Sequence, residues 1–237
     1  MSAGEPPVCP VVKDFLARQG IIAFAGLVFL GWTWVRVRRG LETRDVRTFA
    51  ADTSKQAGQQ AMGGAMMVVL GHKLAEDGFS PLAWYGALYP FEIVLTTGFT
   101  GVFRRLNEAL ALHISTEKPW LSWAQPLANV GQYGPGGRSD FRCSWYAAQL
   151  LQATLLIGLP ARLCALGLVS ASLLLLPSPL SPCHQLARAY FLSGWPCGVQ
   201  AAAILYACPL LGDAVQFIVI DRLQAAQPPC SGPGPAE

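Results

Sequence analysis

Asp52, Thr53, Ser54, Lys55 and Gln56 spell "DTSKQ", an acid, two hydroxyls, an amine and an amide that lead straight into the more apolar "AGQQAMGGAMMVVLG". Two kinds of chemistry suit such a set. At a helix start, Thr53 and Gln56 have the spacing of a capping box, Asp52 suits the positive end of the helix dipole, and Lys55 can snorkel to an interface. Inside a membrane, the same groups would form a polar pocket. Three more charges interrupt apolar runs: Glu92, Arg162 and Asp213. A charge at the bilayer centre costs on the order of 2.5–3.5 kcal/mol on insertion scales, so it faces a partner or a wet cavity. These residues either pair, with Glu92 and Asp213 meeting Arg162 or Lys55, or they line a ligand or ion pocket. Glu92 has a third option, protonation in an apolar setting. Gln149, Gln152 and Gln216 stand near these positions and can bond across helices in each case.

Other reactive groups are sparse. The seven cysteines, at 9, 143, 164, 183, 197, 208 and 230, form no Cys-x-x-Cys pair, and Cys183 beside His184 makes two potential ligands rather than a metal site. Cys164 and Cys208, in apolar runs, read as small buried hydrophobes. The three histidines stand beside no nucleophile, and no Gly-rich phosphate loop occurs. Neither catalysis nor a bound metal or cofactor is expected.

The elements that must position these groups follow from composition. Of 237 residues, 52% are hydrophobic and 13% charged, against roughly 25% charged in a soluble domain. Lipid is therefore the expected solvent, at about 20 apolar residues per crossing. A net charge of +3, with no basic block interleaved with aromatics, argues against nucleic acid. The expected fold is all-α, a polytopic membrane bundle with about five spans, near 15–35, 56–74, 82–103, 145–176 and 196–220. Residues 1–14 form a short leading segment and 224–237 a short disordered tail. Because basic residues follow the first run and no cleavage site closes it, that run reads as a retained anchor rather than a signal peptide. Pro160 should kink the fourth span. The Pro-, Gly- and Trp-rich stretch 116–143 reads as an ordered interfacial loop.

Five spans put the termini on opposite sides. Arg36, Arg38, Arg39, Arg44 and Arg47 form one basic loop, and Arg104, Arg105, Lys118, Arg138, Arg142 and Arg222 fall on the same side. Only Lys13, Arg18, Lys73 and Arg188 fall on the other. The positive-inside rule makes the amino terminus lumenal and the carboxyl terminus cytosolic. The five loop arginines either fix this topology alone or also draw anionic lipid headgroups, at about 1 kcal/mol each. Ala57, Ala61 and Ala65, and Gly194 with Gly198, have the four-residue spacing of close helix packing, more often internal than dimeric.

The motif "DTSKQA", the turn "GQYG" followed by "CSWYAAQ", and the closing "LLGDAVQFIVIDRL" resemble the STIMATE family over nearly the whole chain. This family groups animal store-operated calcium-entry regulators of the endoplasmic reticulum with vacuolar-membrane-like proteins of fungi, algae and protists. The resemblance implies a multi-span bundle with Asp52, Thr53, Ser54, Lys55 and Gln56 heading the second span. It also implies a Tyr133–Gly134 turn before the fourth span, with Asp221 a looser match near the end. The expectation is a non-enzymatic endomembrane protein of the endoplasmic reticulum or vacuole that regulates calcium signalling or membrane contacts. Its expected partners are the bilayer and another membrane protein or anionic headgroups. The animal regulators add a long cytosolic tail thought to engage the calcium sensor STIM, and residues 224–237 do not resemble it, so that partnership is not expected. The alternative is a small ion or solute transporter using Glu92, Arg162 and Asp213 as a polar pathway.

Overall fold

A computed structural model describes Cys9 and residues 28, 31–32, 34–36, 38–40, 46–75, 79–118, 120–136, 140–176 and 180–225. Among the described residues the chain is helical throughout, with no strand. The first expected span, 15–35, lies largely outside them, as do the tail 226–237 and Arg44.

Helix α1 runs Val46–Leu74 and α2 runs Pro81–Glu117. Ser80 caps α2 by accepting from the Ala83 N–H, with Pro81 at the first helical position, where its missing donor costs nothing. At 37 residues α2 is about 55 Å long, so the run 82–103 and the amphipathic stretch after Arg105 form one continuous helix. The short α3 (Ala124–Ala128) interrupts the Trp-rich loop, whose Trp120 and Trp123 stay exposed. Helix α4 (Cys143–Leu151) passes through a π stretch (Gln152–Gly158) into α5 (Leu159–Leu175). Then come α6 (Pro182–Phe191), α7 (Cys197–Ala201), a second π stretch (Ala202–Ala207) and α8 (Cys208–Ala225).

The two π stretches answer the prolines that follow them. Pro160 and Pro209 lack an N–H and crowd the carbonyl four residues back. Widening the turn relieves this: the Leu159 N–H bonds the Thr154 carbonyl and the Cys208 N–H bonds the Ala203 carbonyl, each five residues back. A neighbouring helix serves the carbonyl that Pro160 leaves open, since the Asn107 amide donates to Leu156 O at 3.4 Å. The Gln59 amide similarly reaches Ala153 O at 2.5 Å. In lipid such outside partners are what make a proline tolerable.

Two stretches are long and apolar enough to cross a membrane, Cys143–Leu175 and Cys197–Ile220. Their outward residues form an apolar surface, with Leu155, Leu156, Leu163, Leu168, Leu211 and Val215 all exposed. Helices α1 and α2 are diluted by polar side chains that face the interior. Central in the bundle, α2 packs on α1, α3, α5, α6 and α8 around a core that includes Met67, Leu82, Leu88, Ile93, Val169 and Ile204.

Three expectations about small side chains fail. Cys164 is exposed on the outward face of α5, whereas Cys208 is half-buried against the core as expected. Ala57, Ala61 and Ala65 are exposed too, as is Gly198, so the four-residue spacing marks an outer face rather than internal packing. Cys9 and Cys197 are joined by a disulfide spanning 188 positions, and the Leu82 N–H bonds the Cys9 carbonyl. This link holds Cys9 at the end of the bundle where α2 begins.

Candidate functional site

Helix α1 begins at Val46, so "DTSKQ" falls in its second and third turns rather than at its start. The capping-box reading is therefore corrected: the N–H groups that a cap would serve lie further back, and the motif turns sideways into the bundle. Asp52 Oδ1 accepts from the Tyr133 hydroxyl at 2.6 Å and pairs with Lys55 Nζ at 3.0 Å. Lys55 donates to Gln149 Oε1 at 3.1 Å, and its ammonium lies 4.9 Å from the Tyr133 ring centroid. It does not snorkel outward; 4% of it is exposed. Ser54 Oγ meets the Tyr146 hydroxyl at 2.7 Å.

Gln149 fastens the interfacial loop. Its amide donates to the carbonyls of Pro126, Asn129 and Gln132 at 3.0, 3.1 and 2.7 Å, and its oxygen also accepts from the Gly131 N–H. Gln152 adds a bond to Leu127 O at 3.2 Å. The loop can close this tightly because residue 134 is glycine: a Cβ there would fall on the Asp140 carbonyl. Beside that point the Arg142 N–H bonds Tyr133 O at 2.7 Å. The Tyr-Gly turn thus delivers Tyr133 to Asp52.

A second polar network lies deeper. Glu92 pairs with Arg162 and accepts from Thr96 Oγ1 at 3.0 Å; Arg162 Nη2 donates to Gln60 Oε1 at 3.1 Å, and Gln60 donates to Gln216 at 2.6 Å. Asp213 accepts from the Tyr89 hydroxyl at 2.9 Å and, among the described residues, forms no ion pair. Four helices, α1, α2, α5 and α8, are joined in this way. Gly63 lets α1 approach, since a Cβ there would fall on the Arg162 guanidinium. Of the expected interhelical glutamines, Gln216 belongs to this network, Gln149 bonds across to Lys55 of α1 as well as to the loop, and Gln152 serves the loop.

A cavity of about 40 Å³ lies between α1, α2 and the first π stretch, lined among others by Lys55, Gln56, Gln59, Thr100, Arg104, Gln149 and Gln152. Arg104 Nε bonds Glu108 Oε1 at 2.6 Å. In the sequence alone Arg104 stands out only as a topology marker.

The five arginines expected in one basic loop do not form a single loop among the described residues: Arg36 and Arg38 are helical, Arg39 lies in the turn after them, and the exposed Arg47 belongs to the first turn of α1. Arg38 lies 5.2 Å from the Trp34 ring centroid. Across the bundle, His184 packs edge-on against Phe79 and Trp84. Burial pushes the neighbouring Cys183 thiol up to about 11, which keeps it a poorly nucleophilic thiol at neutral pH. Among the described residues, no three histidine, cysteine or acidic side chains converge to hold a metal.

No protein-family model, curated protein or solved structure matches the chain.

Proposed function

We propose that the chain is a multi-pass protein of an endomembrane, the endoplasmic reticulum or a vacuole, with about five spans. In this reading it acts without catalysis as a modulator of calcium signalling or membrane contacts. The observation that carries the non-transport part is the pairing of intramembrane charge. Glu92 is satisfied by Arg162 and Thr96, and Asp213 by Tyr89, which suits a fixed bundle better than a pathway for ions. The calcium part rests on the resemblance of "DTSKQ" and the Tyr-Gly turn to the STIMATE family, and on Asp52, Lys55 and Tyr133 forming one buried knot.

The disulfide supports the orientation. Cys9–Cys197 lies at the end where α2 begins, away from Arg104, Arg105 and the Tyr133 loop. Disulfides persist in an oxidising lumen and are rare in cytosol, which supports the reading in which that end is lumenal and the basic end cytosolic. Charge bias and redox chemistry, two independent arguments, agree on the same orientation.

The test is calcium flux through the purified protein in liposomes, run beside store-depletion calcium entry in cells expressing it. We expect no flux above empty liposomes and an altered entry amplitude in cells. Calcium flux above empty liposomes would replace this reading with the transporter. Neither flux nor altered entry would remove calcium from the account.

A further inference from the structure

The cavity between α1, α2 and the first π stretch sets two cations in a wall that is otherwise largely apolar, with Val130, Ala153, Ile157 and Ile220 among its lining. It contains two cations, Lys55 and Arg104, together with Thr100 and four glutamines, and no carboxylate. Asp52 and Glu108, which hold the two cations, stand outside the lining. Each cation is thus held by a carboxylate that does not itself line the cavity.

Arg104 is the decisive group. Glu108 takes its Nε, which orients the guanidinium plane, while its Nη1 is buried with no hydrogen-bond partner among the described residues. Buried donors are nearly always satisfied, so an orphaned one calls for an explanation, such as an unplaced ligand. A planar guanidinium edge matches two oxygens of an oxyanion. The buried Thr100 adds a hydroxyl to the lining, and half-exposed Gln56 brings the cavity to the surface. About 40 Å³ is room for more than one water.

We propose that this cavity binds a phosphate group, with Arg104 and Thr100 as direct donors and Lys55 supplying charge from within the Asp52–Tyr133 knot. It goes beyond the calcium reading and does not depend on it: flux and entry results leave it standing, and its own failure leaves them standing. The phosphate is either the phosphomonoester of a lipid headgroup at the basic face or a free phosphate from water. This binding is distinct from attraction of lipid by the arginines between 36 and 47, which would need no cavity.

The experiment is thermal unfolding of the full chain in nanodiscs of phosphatidylcholine alone, with phosphatidic acid added, or with inorganic phosphate in the buffer. At least one of the two phosphates should raise Tm in a saturable way. A rise with phosphatidic acid alone assigns the lipid as source, and a rise with inorganic phosphate assigns the free ion. Arg104→Gln should weaken the midpoint of that response roughly tenfold or more, the loss expected for a charge-assisted hydrogen bond. Should Arg104→Gln misfold, Gln56→Glu serves instead, placing a carboxylate at the half-exposed mouth, and it should weaken the response similarly. The exposed neighbour Arg105→Gln should leave it unchanged. No Tm rise with either phosphate overturns the proposal. So does a rise that Gln56→Glu leaves intact, or one that Arg105→Gln removes to the same extent.

Discussion

Arg162→Leu is expected to destabilise the bundle by about 3–5 kcal/mol, because it leaves Glu92 buried without its counter-charge. Glu92 is 3% exposed and Arg162 2%, so water cannot reach in to replace either partner. Thr96 would still donate to Glu92, but one neutral donor does not offset a full charge. Glu92→Gln alone should cost a comparable amount by stranding the guanidinium. The double variant Glu92→Gln/Arg162→Leu should cost clearly less than the sum of the two, because both charges then leave together. Denaturant titration of the purified protein reads all three. Additive costs would mean that the two residues do not act as a pair.

Gly134→Ala is expected to cost about 1–3 kcal/mol through overpacking, and to do so by separating Tyr133 from Asp52. The added methyl group would land on the Asp140 backbone carbonyl rather than on a side chain that could swing away. The Tyr133–Arg142 backbone hydrogen bond holds the two strands of the turn together at that point. Relief therefore requires opening the turn, which withdraws the Tyr133 hydroxyl from Asp52 and its ring from Lys55. Tyrosine fluorescence or NMR of the loop should change along with stability. A stable Gly134→Ala variant with Tyr133 unchanged would show that glycine at 134 has no structural role.

Helicity was legible in the sequence because long apolar runs and the absence of strand alternation are local properties. The meaning of "DTSKQ" was not. A capping box is a four-residue pattern, and Thr53 and Gln56 satisfy it, yet the helix reaches back to Val46 because "VRTFAA" offers it no breaker. What the motif does instead depends on Tyr133 and Gln149, some 80 to 95 positions away. The same distance problem hid the Cys9–Cys197 bond, whose partners sit in unrelated local contexts. The Glu92–Arg162 pairing was one of the options the charges allowed, and only packing distinguishes it from a pocket. Helix α6 went unread for a different reason: "PSPLSPC" looks like a loop, but Pro182 occupies the first turn, where proline is welcome. The kink expected at Pro160 takes the form of a π stretch because neighbouring side chains occupy the carbonyls around it.

The central claim is that this chain lies across an endomembrane with the Asp52–Tyr133 end in the cytosol. Its native cysteines test that most directly. Cys143 is free and exposed at the basic end, whereas Cys9 and Cys197 are bonded at the other. Sealed microsomes, cytosolic face outward, would be treated with a membrane-impermeant maleimide and each cysteine followed by peptide mass spectrometry. The account predicts that Cys143 labels in intact vesicles, while Cys9 and Cys197 label only after permeabilisation and reduction. Labelling of Cys9 and Cys197 in intact vesicles without reductant, with Cys143 protected, would contradict both the orientation and the disulfide on which it rests.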